Sequence, residues 1–170
     1  MAKILMVIAA KGYQDIEYET PKEILEQNGH TVITTSTKPE AKGSLGGSTK
    51  VDILLKKVDP KDYDAITFIG GPGSHKLIKN RKTLSLAKNF YESGKLTTAI
   101  CAAPAILANA GILEGKTATC HEGQSQTLIK KEANYTGSPV EQDSNIITAS
   151  GPGAARDFGK KIAKAISDST

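Results

Sequence analysis

The stretch TTAICAAPAIL, residues 97 to 107, runs an apolar strand pattern into Cys101, then two alanines and a proline where a helical pattern begins. Strand, sharp turn, helix is the connection found at the carboxyl end of a parallel strand, and it makes the chain an alternating α/β protein if its neighbours repeat it. They do. Apolar runs predict strands at 3–9, 30–36, 64–70, 96–101, 116–120 and 145–150, with helix-period segments between them, which implies a mostly parallel sheet covered on both faces. The longest helical pattern, 75–93, carries Leu77, Ile78, Leu84, Ala87, Phe90 and Tyr91 on an apolar stripe and stops at Gly94. Thr20, Pro21 and Glu23 have the order of an N-cap, a first-turn proline and a third-position acid, so a helix is expected to start at 20 or 21. The segment 38–50, with Gly43, Gly46 and Gly47, reads as a loop or hairpin turn, and it lacks the glycine-lysine order of a phosphate loop.

The 170 residues suit one domain with a core of its own. With 38% hydrophobic and 24% charged residues the composition is that of a soluble globular protein, and no run approaches the roughly 18 apolar residues of a membrane span. The N-terminal AKILMVIAA is too short for a secretory signal and reads as a buried first strand, which places the protein in the cytoplasm. Two cysteines make no disulfide framework, and without a C-x-x-C pair near histidines they make no structural zinc site, so neither metal nor cofactor is expected. The net charge of +4 comes almost wholly from scattered lysines, with arginine only at 81 and 156 and aromatics at 5%, a pattern unlike a nucleic-acid reader.

Ligands of open α/β sheets sit beyond the carboxyl ends of the strands, which directs attention to the strand-to-helix turns. Cys101 occupies one of them in the manner of a nucleophile elbow, with alanines where glycines often stand, and a helix N-terminus there is expected to lower the thiol pKa. A buried core cysteine is the competing reading. Gly70 and Gly71 end another strand and could offer amides to an oxyanion, although a plain turn explains them equally well. Glu17 and Glu19 lie after the first strand; alone, they read as solvated acids. His121 follows a strand and could reach the same mouth, while Cys120 beside it is expected in the core. His30 and His75 read as structural.

Taken together, DIEYETP (15–21), FIGGPGS (68–74), AICAAPAILANAGIL (99–113), CHEG (120–123) and ASGPGAARDFG (149–159) resemble the ThiJ/PfpI superfamily over essentially the whole chain. That resemblance implies a flavodoxin-like three-layer sandwich, commonly a homodimer, with Cys101 as nucleophile and Glu17 as the acid hydrogen-bonded to it. It further implies that His121 is the histidine of the deglycase and glyoxalase branch, and that amides at Gly71 and Ala102 form the oxyanion site, with Gly70 beside them. A small aldehyde such as methylglyoxal would be the substrate. Two departures stand out. The residue after the cysteine is Ala102 where the peptidase branch has histidine, which argues against a Cys-His peptidase dyad, and Ser150 stands where another branch has an arginine before the GPG of 151–153. A redox sensor that uses an oxidisable Cys101 is the alternative function the same residues support.

Overall fold

The computed structural model describes residues 1–169. Its strands and helices, in chain order, are β1 (Lys3–Val7), β2 (Lys11–Tyr13), α1 (Asp15–Gln27), β3 (Thr31–Ser36), β4 (Glu40–Gly43), β5 (Ser48–Lys50), β6 (Ile53–Leu54), β7 (Ala65–Phe68), α2 (His75–Ile78) and α3 (Arg81–Glu92). Then follow β8 (Leu96–Ile100), α4 (Pro104–Asn109), β9 (Thr117–Ala118), α5 (Ser125–Lys130), β10 (Asn134–Tyr135), β11 (Val140–Asp143), β12 (Ile146–Ala149) and α6 (Ala155–Asp168).

The central sheet has seven strands in the order β11-β12-β8-β7-β1-β3-β6, all pairs parallel except β11 with β12. Helices α1 and α6 pack on one another over one face, and α2, α3 and α4 form the layer on the other. This is the flavodoxin-like sandwich. All of β7 and β12, and β1 and β8 apart from their first residues, are buried, as strands covered on both faces must be. The chain leaves β1 first toward β3 and later returns to its other side at β7, so the strand order reverses there and opens a crevice at the carboxyl ends.

Three expectations from the sequence are corrected. The first helix begins at Asp15, not at 20 or 21: Gln14 is the cap, its side chain accepting the Glu17 amide, and Pro21 lies inside the helix. A proline there has no N–H to return to the Glu17 carbonyl one turn earlier, a local cost that burial of Tyr18, Pro21 and Leu25 offsets. The helix predicted over 75–93 is two helices. Asn80 interrupts it because its side chain accepts the amides of Lys82 and Thr83, starting α3 afresh. The strand expected at 116–120 shortens to β9, which pairs only with β10, outside the central sheet. The segment 38–50 forms the hairpin β4–β5, joined through β4 to β2 in a small three-stranded sheet.

Candidate active site

Cys101 stands one residue beyond β8 with φ of 66°, in the left-handed region that side chains other than glycine seldom adopt. Its backbone is fixed from both sides. The amide donates to the Ala149 carbonyl at 2.8 Å, at the end of β12, and the carbonyl accepts the His121 amide at 2.7 Å. Pro104 then starts α4. A strained backbone held this firmly is the geometry of a nucleophile elbow, and it turns the side chain out of the sheet into the crevice.

Helix α1 brings Glu17 to the thiol. The Gln14 amide donates to the Gly70 carbonyl at 2.9 Å, the Gln14 side chain accepts the Glu17 amide at 2.8 Å, and Glu17 Oε1 accepts the Gly70 amide at 3.0 Å. Those bonds close a ring between the start of α1 and the turn after β7. Gly70 has to be glycine: a Cβ there would lie 2.7 Å from Glu17 Oε1 and 2.8 Å from the Cys101 Cβ. Gly71, with φ of 117°, packs against the Gln14 amide and the Gly12 carbonyl and leaves equally little room.

Glu17 is fully buried. Its Oε2 has no hydrogen-bond partner among the described residues, and the Cys101 thiol lies against the carboxyl. Burial pushes Glu17 up to about 7 from an ordinary 4.5, against the pull of the thiol and the Gly70 amide. The thiol moves opposite to the sequence expectation. Burial first, then the Glu17 charge and hydrogen bond, push Cys101 up to about 12, and the amides of Ala102 and Gly71, which donate to the sulfur, offset only part of that. The short helix α4 is too weak a dipole to win against desolvation in a site this enclosed. The two groups therefore act as one unit: the first proton leaves Glu17, and the second stays on the sulfur facing the carboxylate.

Of the predicted site residues, Cys101, Glu17, Gly70, Gly71 and Ala102 meet at one point. The Gly70 amide is committed to Glu17, so the amides at the thiol are those of Gly71 and Ala102. His121 is joined to Cys101 through the backbone alone. Its ring is exposed, and its Nδ1 accepts the Gly123 amide at 3.0 Å, which sets the proton of a neutral ring on Nε2. Cys120 is in the core, as expected. Sequence reading missed Gln14, whose main chain and side chain both hold Glu17 in place; no motif marks a glutamine as a helix cap. A hollow of about 720 Å³ lies at the other end of the strands, lined by Ala2, His30, Asp64, Lys95 and Asn145, and holds none of these groups.

Comparison with known proteins identifies the family and the fold. A model of the DJ-1/PfpI family matches residues 2–165. An uncharacterised protein of Methanocaldococcus jannaschii is 42% identical over 169 residues, covering 97% of this chain and 82% of that protein. The Pyrococcus furiosus protein named deglycase PfpI is 29% identical over 150 residues, covering 88% of this chain and 90% of its own. Among solved structures, a ThiJ/PfpI domain protein from Brachyspira murdochii superposes with a TM-score of 0.95 at 34% identity, covering 98% of this chain and 96% of that one.

Proposed function

Since the chain belongs to the DJ-1/PfpI family, we propose that it is a cysteine-dependent enzyme that converts small α-oxoaldehydes, methylglyoxal among them, into 2-hydroxy acids without a cofactor. The observation that carries this reading is the buried Glu17 carboxyl facing the Cys101 thiol, under the amides of Gly71 and Ala102. Its relatives named deglycases point the same way.

The chemistry follows from proton ownership. Carboxylate at Glu17 takes the thiol proton as sulfur attacks the aldehyde carbon, and the new oxyanion receives the two amides that had been donating to sulfur. Protonation of that oxygen gives a hemithioacetal. Removal of the hydrogen from the former aldehyde carbon forms an enediol, and return of a proton to the neighbouring carbon gives a thioester of the 2-hydroxy acid. Glu17 is placed for the first transfer, and His121, with Nε2 free, for exchange with solvent. Water then cleaves the thioester and restores the thiol. The sum is methylglyoxal plus water to lactate, an internal redox exchange between adjacent carbons that needs no external oxidant or reductant.

Lactate production from methylglyoxal without glutathione is the test. Cys101→Ala should abolish it, and His121→Ala should slow it by about a hundredfold if the ring carries proton transfer. Absence of lactate from reduced, folded wild-type protein would overturn the reading.

One observation favours a second reading, a redox sensor. Cys101 is only 9% exposed, an opening that admits a peroxide more easily than a bulky substrate, and a protonated Glu17 would donate to the resulting sulfinate. Under that reading peroxide would convert Cys101 to a sulfinate and His121→Ala would leave the conversion unchanged.

A further inference from the structure

The proposed chemistry leaves one buried acid without a task. Asp15, the first residue of α1, lies two positions before Glu17 and points away from Cys101 toward the turn of the β4–β5 hairpin. Its Oδ1 accepts the Leu45 amide at 2.9 Å and its Oδ2 the Gly47 amide at 2.7 Å. Gly43 and Gly47 press against the carboxylate so closely that a Cβ on either would collide with its oxygens. The hairpin is anchored to the same segment again where the Ser44 amide donates to the Tyr13 carbonyl at 2.8 Å.

We propose that Asp15 is a positioning residue for the reaction: by clasping the hairpin turn it fixes the start of α1, and through Gln14 it holds Glu17 at the Gly70 amide and the Cys101 thiol. The proposal rests on the reading of Glu17 as the proton partner of Cys101. Asp15 stands inside the ring of bonds that links Gln14, Gly70 and Glu17, so a shift of the first turn of α1 has no way to spare Glu17. A carboxylate suits the task because both of its oxygens accept from backbone N–H groups, and an amide side chain offers only one acceptor and turns two hydrogens toward a donor. If hairpin packing were all that was needed, an apolar residue would fill the place at less desolvation cost.

The groups that act on the Glu17–Cys101 pair are the two partners themselves and the amides of Gly70, Gly71 and Ala102. Asp15→Asn removes a charge as well as the clasp, whereas Gly47→Ala disturbs the clasp and leaves the charge in place, so a change common to both reports movement of Glu17. The experiment is the rate of Cys101 alkylation by iodoacetamide from pH 5 to 10, in a Cys120→Ala background, for the parent, Asp15→Asn, Gly47→Ala and the double variant. Gly47→Ala strikes the clasp from the hairpin side, far from the chemistry, and serves if Asp15→Asn folds poorly. In the parent the rate should stay low up to pH 10, the thiol being pushed up to about 12. In each variant the titration should move down into the measured range and the rate at pH 8 should rise at least fivefold, because a displaced Glu17 no longer adds its charge and hydrogen bond to the burial that raises the thiol. The double variant should change no more than the larger single one. An unchanged profile in variants that lose only thermal stability overturns the proposal, as does a parent that titrates like an ordinary thiol. Alkylation needs no substrate, so a protein that makes no lactate yet shows these shifts would lose the proposed reaction and keep the role of Asp15.

Discussion

Glu17 holds its proton more tightly in the folded chain than in an unfolded one, and that difference is a stability term with a definite sign. Between an unfolded value near 4.5 and a folded value of about 7 the native state binds more protons, so stability falls as pH rises through this window and the loss is complete above it. At about 1.4 kcal/mol per unit the penalty at pH 8 is on the order of 3 kcal/mol. Glu17→Gln keeps an acceptor for the Gly70 amide and removes the titration. Its melting temperature relative to wild type should therefore climb from pH 5 to pH 8, by several degrees for a chain of this size. Parallel melting curves across that range would show that Glu17 does not carry the strain assigned to it. The same variant should lose turnover, since it can hold the thiol but not take its proton.

At the scale of elements, Asn80 separates α2 from α3 with one side chain that accepts two amides. Asn80→Ala should cost about 1 kcal/mol in urea unfolding and leave the site reaction unchanged; a neutral effect would mean that packing alone ends α2. Periodicity marks that break only faintly: the apolar stripe skips from Ile78 to Leu84 over the polar run KNRKT, and asparagine caps only where the chain turns. The start of α1 was misread for the opposite reason. Thr20, Pro21 and Glu23 form a strong local signal, but the burial of Glu17 and its ring of bonds with Gln14 and Gly70 override it. Buried strands such as β1, β7, β8 and β12 were legible because covering on both faces demands unbroken apolar runs. Within the site, position was legible and protonation was not: the turn after β8 announces the elbow, whereas the thiol pKa depends first on burial and then on a carboxyl brought in by α1.

Over the whole molecule, one layer depends on a close approach between α1 and α6. Gly159 meets Pro21 there, and a Cβ at 159 would lie 3.0 Å from the Pro21 Cα, a backbone atom that has no side-chain freedom with which to yield. Gly159→Ala should wedge the two helices apart and cost about 1–3 kcal/mol of unfolding free energy, despite the better helix propensity of alanine. A stabilised variant would show that the layer is looser than the contact implies. Of the described helices none is long and apolar enough to cross a membrane.

The reacting groups come from segments far apart in the chain: the bond from the Gly70 amide to Glu17 alone spans 53 residues, and Cys101 is tied on one side to the end of β12 and on the other to His121. Such closures form late in folding, when loops have already been shut at entropic cost. The thiol thereby becomes a clock. In a refolding chain Cys101 is an ordinary thiol, freely labelled by a brief pulse of alkylating reagent, and it acquires its shielded character only when α1, the turn after β7, and β12 have all docked. Collapsed intermediates with a formed sheet but an undocked first helix would still be labelled, so the chain cannot expose finished chemistry before its fold is finished.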